Sequence, residues 1–263
     1  MKKRAWRGIF AIDMRRAFFS WRFAAAWALS FAVLCVMRNA WNFADVVNEI
    51  ESIFSSTSSY SLILIILPSI PYSYSYIAEH NSNSSKYWIS RCGVREYASS
   101  KFISAVLSGM FVFILSMVFI VFISLHYKPL WIELTPEELA ESYSDYEKMM
   151  MQYRAPVLRL VLTILHMALS AALSAGIAFC ISAIVPNLFI AIMLPTLLDF
   201  AYLRLHNLLP IPLWMDEHAL YQSIYSMGSA SATFFTKFGI VAAILLVAWL
   251  ISYFAIRRRA MHE

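Results

Sequence analysis

The sequence predicts an all-α polytopic membrane protein with six transmembrane helices, an N-terminal interfacial helix and both termini in the cytoplasm. Hydrophobic residues make up 60% of the 263 residues and charged residues only 14%, which is far from the composition of a soluble domain. Six apolar stretches are each long enough to form a helix across a ~30 Å hydrocarbon core. They lie at residues 22–38, 54–78, 102–125, 157–185, 187–205 and 236–256.

The distribution of Lys and Arg predicts the orientation. The N-terminal segment, the loop 79–101 and the tail 257–263 together hold 14 of the 21 basic residues but only four of the 16 acidic residues. The other segments hold seven basic and 12 acidic residues, and many of these acids lie in the loop 126–155. Because cytoplasmic segments of membrane proteins carry an excess of positive charge, we expect both termini and the loop 79–101 to lie inside.

Residues 1–21 are predicted to form an amphipathic helix in the inner interface, ahead of the transmembrane domain at 22–256. An aromatic and apolar arc runs beside several arginines. A solvated basic tail that only fixes the topology is the alternative. The net charge of +5 is explained more simply by topology and anionic lipid headgroups than by nucleic acid. The arc consists of Trp6, Phe10, Met14, Ala17 and Trp21.

The second apolar stretch carries a polar stripe and two prolines. At 100° per residue its hydroxyl side chains lie close to one line, so we expect them to face a cavity or a partner helix. Pro68 and Pro71 are expected to interrupt this helix. In the alternative interpretation the tyrosines form an interfacial belt and the serines only pack. The candidate translocation-path residues of this stripe are Ser58, Ser61, Ser69, Tyr72, Ser73 and Tyr76.

Ionisable side chains also occur within the later apolar stretches. Charges at membrane depth are costly and indicate function by default, and Asp199 is therefore added to the candidate path. A structural or interfacial role is the alternative for Asp199 and its neighbour Arg204, and a hydrogen-bonded structural histidine is the alternative for His166. Arg159 and His206 complete the set of ionisable residues.

Other features of the sequence predict no chemistry in this chain. Ala168, Ala172 and Gly176 recur every four residues, which is typical of close helix packing. The three cysteines are widely spaced, so neither a disulfide nor a metal site is expected. No phosphate-loop, dinucleotide-binding or hydrolase motif occurs in the sequence. We therefore expect neither catalytic residues nor a cofactor in this chain.

The loop 79–101 carries the most specific pattern. Glu79 closes the second stretch, and Arg95, Tyr97 and Lys101 form an Arg-x-Tyr-x-x-x-Lys pattern at the start of the third. In this pattern and in its layout the chain resembles the type-2 ABC transporter permeases, the membrane subunits of many bacterial ABC exporters.

The resemblance implies a coupling helix within residues 80–97 that docks on a separate ATPase subunit. Tyr87 and Trp88 would supply an aromatic anchor, and Arg91 and Arg95 charged contacts. The alternative is that both aromatic rings lie in the inner headgroup layer.

The resemblance also implies the function. The chain would be the permease subunit of an exporter in the bacterial cytoplasmic membrane, dimeric with itself or with a related permease. ATP and Mg would bind the partner ATPase, and alternating access would move amphipathic or hydrophobic cargo such as a peptide, drug or lipid. Residues 207–235 would include a re-entrant segment.

Two other classes of function stay open. One is a membrane sensor or assembly protein without transport. The other is an intramembrane enzyme that uses His166, Asp199 or His206.

Overall fold

The computed structural model describes residues 2–39, 44–55, 65–132, 155–206 and 227–262. This part of the chain is helical and contains no strand. The helices are α1 (Lys2–Phe18), α2 (Trp21–Asn39), α3 (Val46–Ser55), α4 (Ser75–Asn81), α5 (Ser84–Cys92), α6 (Val94–Tyr127), α7 (Pro156–Ile184), α8 (Leu188–His206) and α9 (Ala230–His262), with a 3-10 turn at Leu67–Ser69.

Four of these helices are long and apolar enough to cross a membrane. They are α2, α6, α7 and α9, and α8 contains a shorter apolar stretch, Leu188–Ala201. These helices are consistent with a membrane-embedded protein. Their bounds match four of the six predicted spans to within about eight residues. Residues 56–64 of the predicted second span lie outside the described residues.

The segment after that gap follows the expectation from its prolines. The 3-10 turn Leu67–Ser69 contains Pro68, and turns continue through Pro71 until α4 begins at Ser75. Proline lacks the backbone N–H that a continuous helix requires, and its ring clashes with the preceding turn. The chain is therefore broken here, as predicted.

Helices α6 and α7 form the centre of the bundle and approach each other closely. A Cβ atom added to Gly109 of α6 would lie 2.6 Å from Cβ of Ala175 and 2.7 Å from the backbone oxygen of Pro68. A Cβ on Gly176, the next residue of α7, would collide with Leu245 of α9. The small residues of α7 thus allow close helix packing, as their spacing predicted, and the structure shows that their neighbours belong to the same chain.

Both described termini lie at the same end of the bundle. Helix α1 packs its Ile9, Asp13 and Ala17 face against the start of α6. Near the end of α9, Arg259 donates a hydrogen bond to the backbone oxygen of Ile184, at the end of α7. We call this end, with α1, α5 and the start of α6, the basic end, and the opposite end, with α3, the acidic end.

Helix α3 was not predicted from the sequence. Its apolar residues Val46, Val47, Ile50 and Ile53 are fully buried against α2, α6 and α7. The chain that follows α6 is held to it by hydrogen bonds from Val46 N to Pro129 O and from Val47 N to Leu130 O, at 3.1 and 3.3 Å. The acidic end is therefore closed by a short helix laid across three longer ones.

Two further predicted features fall partly outside the described residues. Helix α6 ends at Tyr127, and residues 133–154 of the predicted loop 126–155 lie outside them. Residues 207–226 of the predicted re-entrant segment also lie outside. Its last residues, 230–235, form the first turns of α9.

Candidate functional site

A buried ionic cluster joins three segments at the basic end. Lys101, in the second turn of α6, is 1% exposed, and its Nζ lies 2.8 Å from Oδ1 of Asp13 on α1 and 2.6 Å from Oε1 of Glu79 on α4. A charge removed from water is tolerated only when opposite charges and hydrogen bonds replace its hydration. The two carboxylates provide this replacement for Lys101.

Hydroxyl groups complete the coordination of the two carboxylates. Tyr72 and Ser100 each donate to Asp13, at 2.5 Å. Tyr97 donates from its hydroxyl to Oε2 of Glu79 at 2.8 Å, and Lys101 also donates to the hydroxyl of Tyr72 at 3.1 Å. Three of the four residues that carry the family resemblance, Glu79, Tyr97 and Lys101, therefore belong to one hydrogen-bonded cluster.

Arg16 extends the cluster toward the surface. Its Nη1 lies 3.0 Å from Oε1 of Glu79, and its side chain is 51% exposed. Its guanidinium lies 5.8 Å from the ring of Trp88 on α5, within the range of a cation–π contact. The charges of Lys101 and Arg16 balance those of Asp13 and Glu79, and α1 is linked directly to α5.

Helix α5 presents a basic and aromatic surface. Tyr87 is 50% exposed, and the guanidinium of Arg91 lies 4.2 Å from the centre of its ring. The turns that flank α5 need unusual backbone angles: Asn83 has a φ of 55° and Gly93 a φ of 92°. Asparagine and glycine are the residues that adopt these conformations most readily. The sequence thus builds a short helix that projects its aromatic and basic side chains from the bundle.

Arg95 lies outside the cluster. It is exposed on the first turn of α6, and it is the one residue of the Arg-x-Tyr-x-x-x-Lys pattern that points away from Asp13 and Glu79. The pattern therefore divides into two buried residues and one on the surface.

The polar stripe of the predicted translocation path is buried against helices of the same chain. Ser73 donates to the backbone oxygen of Ala175 on α7 at 3.1 Å, and Ser69 to that of Ile66 at 2.6 Å. Tyr72 belongs to the cluster, and Tyr76 is 2% exposed and stacks on His80. Ser58 and Ser61 lie outside the described residues.

Asp199 is placed away from this stripe. Helix α8 packs near Ile77 through Ala191, and Asp199 lies about 12 Å further along the helix, at 1.5 Å per residue. Its side chain is partly exposed. The side chains of Arg204 and His206 lie outside the described residues.

A second ionic cluster closes the acidic end. Glu49 of α3 is fully buried and pairs with Arg38 of α2 at 2.5 Å and with Lys128, which follows α6, at 3.1 Å. Arg159, in the first turn of α7, pairs with Glu51 through both its Nε and Nη2 atoms. Arg159 is thus an ion-paired residue at a helix end. The acids of α3 pair with one cation on α2, one on α7 and one directly after α6.

His166 is buried in the middle of α7. It is 2% exposed, and its ring centre lies 5.4 Å from that of Phe234 on α9, in an edge-to-face arrangement. Lys237, one turn further along α9, is also fully buried. Lys237 was not predicted from the sequence as a functional residue, although its place near the start of an apolar stretch was a usable signal.

An apolar groove lies between α6, α7 and α9. It has a volume of about 460 Å³. At its basic end Trp249 Nε1 donates to Ser99 Oγ at 3.1 Å, and it runs toward Leu169 and Phe238. Its other lining residues include Phe102, Val241, Ala242, Leu245 and Leu246.

The roles of Asp13 and Ser100 were not predicted from the sequence. Asp13 is the only acidic residue before Asp45, and a single acid in a strongly basic helix was the available signal.

Comparison with known proteins finds no matching family model, no matching curated protein and no matching solved structure.

Proposed function

We propose that this chain is the transmembrane permease subunit of an ATP-driven exporter in a bacterial cytoplasmic membrane, with the basic end inside. In this proposal the chain crosses the membrane six times and pairs with a second permease copy or a related permease. ATP and Mg bind separate ATPase subunits. Amphipathic or hydrophobic cargo then crosses by alternating access.

One observation carries the proposal: the exposed aromatic and basic surface of α5 is joined to the helix bundle through buried charges. Tyr87 and Arg91 stand out from the bundle as a stacked pair, whereas Trp88 on the same helix contacts Arg16. Arg16 in turn pairs with Glu79, and Glu79 with Lys101 of α6. Aromatic and arginine side chains are the residues most enriched at the energetic centres of protein interfaces.

The dimensions of α6 support a path across the membrane. Lys101 at one end and Lys128 at the other are both ion-paired. The two lysines are 27 positions apart, which corresponds to about 40 Å at 1.5 Å per residue. A bilayer with its headgroup regions is about 40–45 Å thick. The two ionic clusters would then lie at the two headgroup layers, where buried charges cost least.

In this proposal, movement of the ATPase subunits pushes on α5 and is transmitted to α6 through the cluster of Asp13, Glu79 and Lys101. A rigid set of short ionic bonds transmits displacement better than a flexible loop, because each bonded group must move with its partners. Tyr72 bonds directly to Asp13 and Lys101, and Ser69, Ser73 and Tyr76 lie on the same segment as Tyr72, so a shift of α6 would alter this segment. Ser58, Ser61 and Asp199 remain proposed members of the path.

The experiment that tests the proposal is purification of the tagged chain in a mild detergent, followed by identification of the proteins that co-purify. We expect a P-loop ATPase, and we expect Arg91→Glu to weaken its recovery. Arg257→Glu is the matched control, because Arg257 is exposed on α9 rather than on α5. A stable chain without an ATPase partner would contradict the proposal and favour a sensor or an intramembrane enzyme.

A further inference from the structure

The groove between α6, α7 and α9 has the depth of one leaflet of a bilayer. Along α9 its lining extends from Trp249 to Phe238, which is about 16 Å at 1.5 Å per residue. Half of a ~30 Å hydrocarbon core is about 15 Å. The groove therefore begins close to the basic end and ends near the middle of the bundle.

The two ends of the groove differ in chemistry. Ser99 and Trp249 form a hydrogen bond at the basic end, and an indole ring with its N–H bonded there is typical of the boundary between headgroups and acyl chains. Beyond this point the lining consists of aliphatic and phenylalanine side chains. An occupant would thus place a polar part near Ser99 and an apolar chain along α9.

A positive charge stands at the polar end. Arg95 precedes Ser99 by four residues on α6, so the two side chains lie on the same face of the helix one turn apart. Arg95 is exposed. The neighbouring carboxylate of Glu96 is directed back over Gly93, since a Cβ atom there would lie 2.8 Å from Glu96 Oε2.

We propose that this groove binds one anionic phospholipid of the leaflet at the basic end, with an acyl chain along α9 and the headgroup phosphate on Arg95. A guanidinium matches the geometry of a phosphate group and forms paired hydrogen bonds with it. Arg95 then contacts lipid, whereas Arg91 on α5 is the residue that meets the proposed ATPase. This inference requires a membrane-embedded chain and does not depend on the proposed export function.

Native mass spectrometry tests the proposal. The full chain is equilibrated with equal amounts of phosphatidylglycerol and phosphatidylcholine that carry the same acyl chains, and the retained lipids are counted. We expect one phosphatidylglycerol to be retained preferentially. Arg95→Glu should reduce its retention at least about fivefold, which corresponds to the loss of one cation near a membrane surface.

A second variant tests the apolar part of the groove. Ala242→Phe places a ring within the lining and should displace the acyl chain, whereas Ala243→Phe makes the same change on an exposed residue that does not line the groove. Arg258→Glu, on the opposite face of α9 from the groove, is the charge control. We expect both controls to keep the lipid.

Three outcomes would overturn the proposal. The first is that the chain retains the two lipids equally. The second is that Ala242→Phe and Ala243→Phe lose the same amount of lipid. The third is that the chain forms a lipid-free dimer and that Ala242→Phe breaks the contact between its two copies. If Ala242→Phe fails to fold, the headgroup contact is still tested by comparing the phosphatidylglycerol retained by Arg95→Glu with that retained by Arg258→Glu.

Discussion

Lys101 of α6 and Asp13 of α1 form a buried ion pair at 2.8 Å, with both side chains 1% exposed. The two residues are 88 positions apart, and their contact makes the N-terminal helix part of the bundle. Helix α1 contributes the acid that the buried lysine requires.

The Lys101–Asp13 pair predicts a large loss of stability when one partner is removed. Lys101→Met leaves Asp13 and Glu79 buried without their shared cation, and we expect it to lower the free energy of unfolding by about 3–5 kcal/mol. Thermal denaturation in detergent measures the effect. Arg257→Met, which changes an exposed cation near the end of α9, should change stability by less than about 0.5 kcal/mol.

Removing both charges should cost less than the sum of the single changes. When Asp13→Asn is combined with Lys101→Met, both members of the pair are neutral, so neither is left buried as an unpaired charge. Glu79 still pairs with Arg16. Residues in direct contact show such coupling energies in double-mutant cycles. Additive losses would show that the pair does not form.

The close contact of α6 and α7 predicts that Gly109 tolerates no side chain. In Gly109→Ala the new methyl group would meet the backbone oxygen of Pro68 and the side chain of Ala175, so the helices must separate. We expect a loss of about 1–3 kcal/mol, typical of overpacking, read as a lower melting temperature. Gly239→Ala makes the same change in α9, where the added methyl group would lie more than 4 Å from every other described side chain, and it should be neutral or slightly stabilising.

The acidic end depends on Glu49. In Glu49→Gln the amide cannot balance the charges of Arg38 and Lys128. We expect a loss of about 1–3 kcal/mol, because both cations lose their charged partner. Glu96→Gln, which changes a partly exposed carboxylate in the first turn of α6, should cost less than 1 kcal/mol. Equal effects of the two changes in thermal denaturation would contradict the arrangement of the acidic end.

Burial, reinforced by the negative charge of Glu96, raises the pKa of the Cys92 thiol above its usual value. The thiol also donates to the backbone oxygen of Trp88 at 3.0 Å. Only the thiolate reacts with maleimide. We therefore expect slow labelling of Cys92 at neutral pH, and a rise in the labelling rate at a higher pH than for a thiol of ordinary pKa. The test uses Cys35→Ser and Cys180→Ser together.

In that background Ser90→Cys, combined with Cys92→Ser, provides the exposed reference thiol on α5. If Cys92 and this reference react at the same rate at neutral pH, Cys92 is not buried as described.

Several parts of the fold follow from local sequence. The hydropathy of residues 22–38, 102–125, 157–185 and 236–256 predicted α2, α6, α7 and α9, because a helix that faces lipid must be apolar along its whole length. The break at Pro68 and Pro71 follows from proline itself. The small residues around Gly176 predicted close packing, which the structure confirms.

Other parts depend on contacts between distant residues. Asp13 pairs with Lys101, and Glu51 with Arg159, and a single sequence carries no periodic signal for either pair. Helix α3 is too short to register as a span, although Val46, Val47, Ile50 and Ile53 have helical spacing. Glu79, Tyr97 and Lys101 were selected through the family resemblance, and the structure adds that they bond to one another and to α1.

The most direct test of the central claim follows movement from the basic end to the acidic end. A bimane fluorophore is attached to Ile132→Cys, at an exposed position of the acidic end where the Ile132 backbone N–H bonds to Asp45, in a chain whose native cysteines are replaced. The chain is reconstituted in nanodiscs with its co-purified ATPase. We predict that ATP with vanadate changes the bimane emission, and that Lys101→Met abolishes this change while the ATPase stays bound. An emission unaffected by nucleotide, or a change that persists in Lys101→Met, would contradict transmission through the buried cluster.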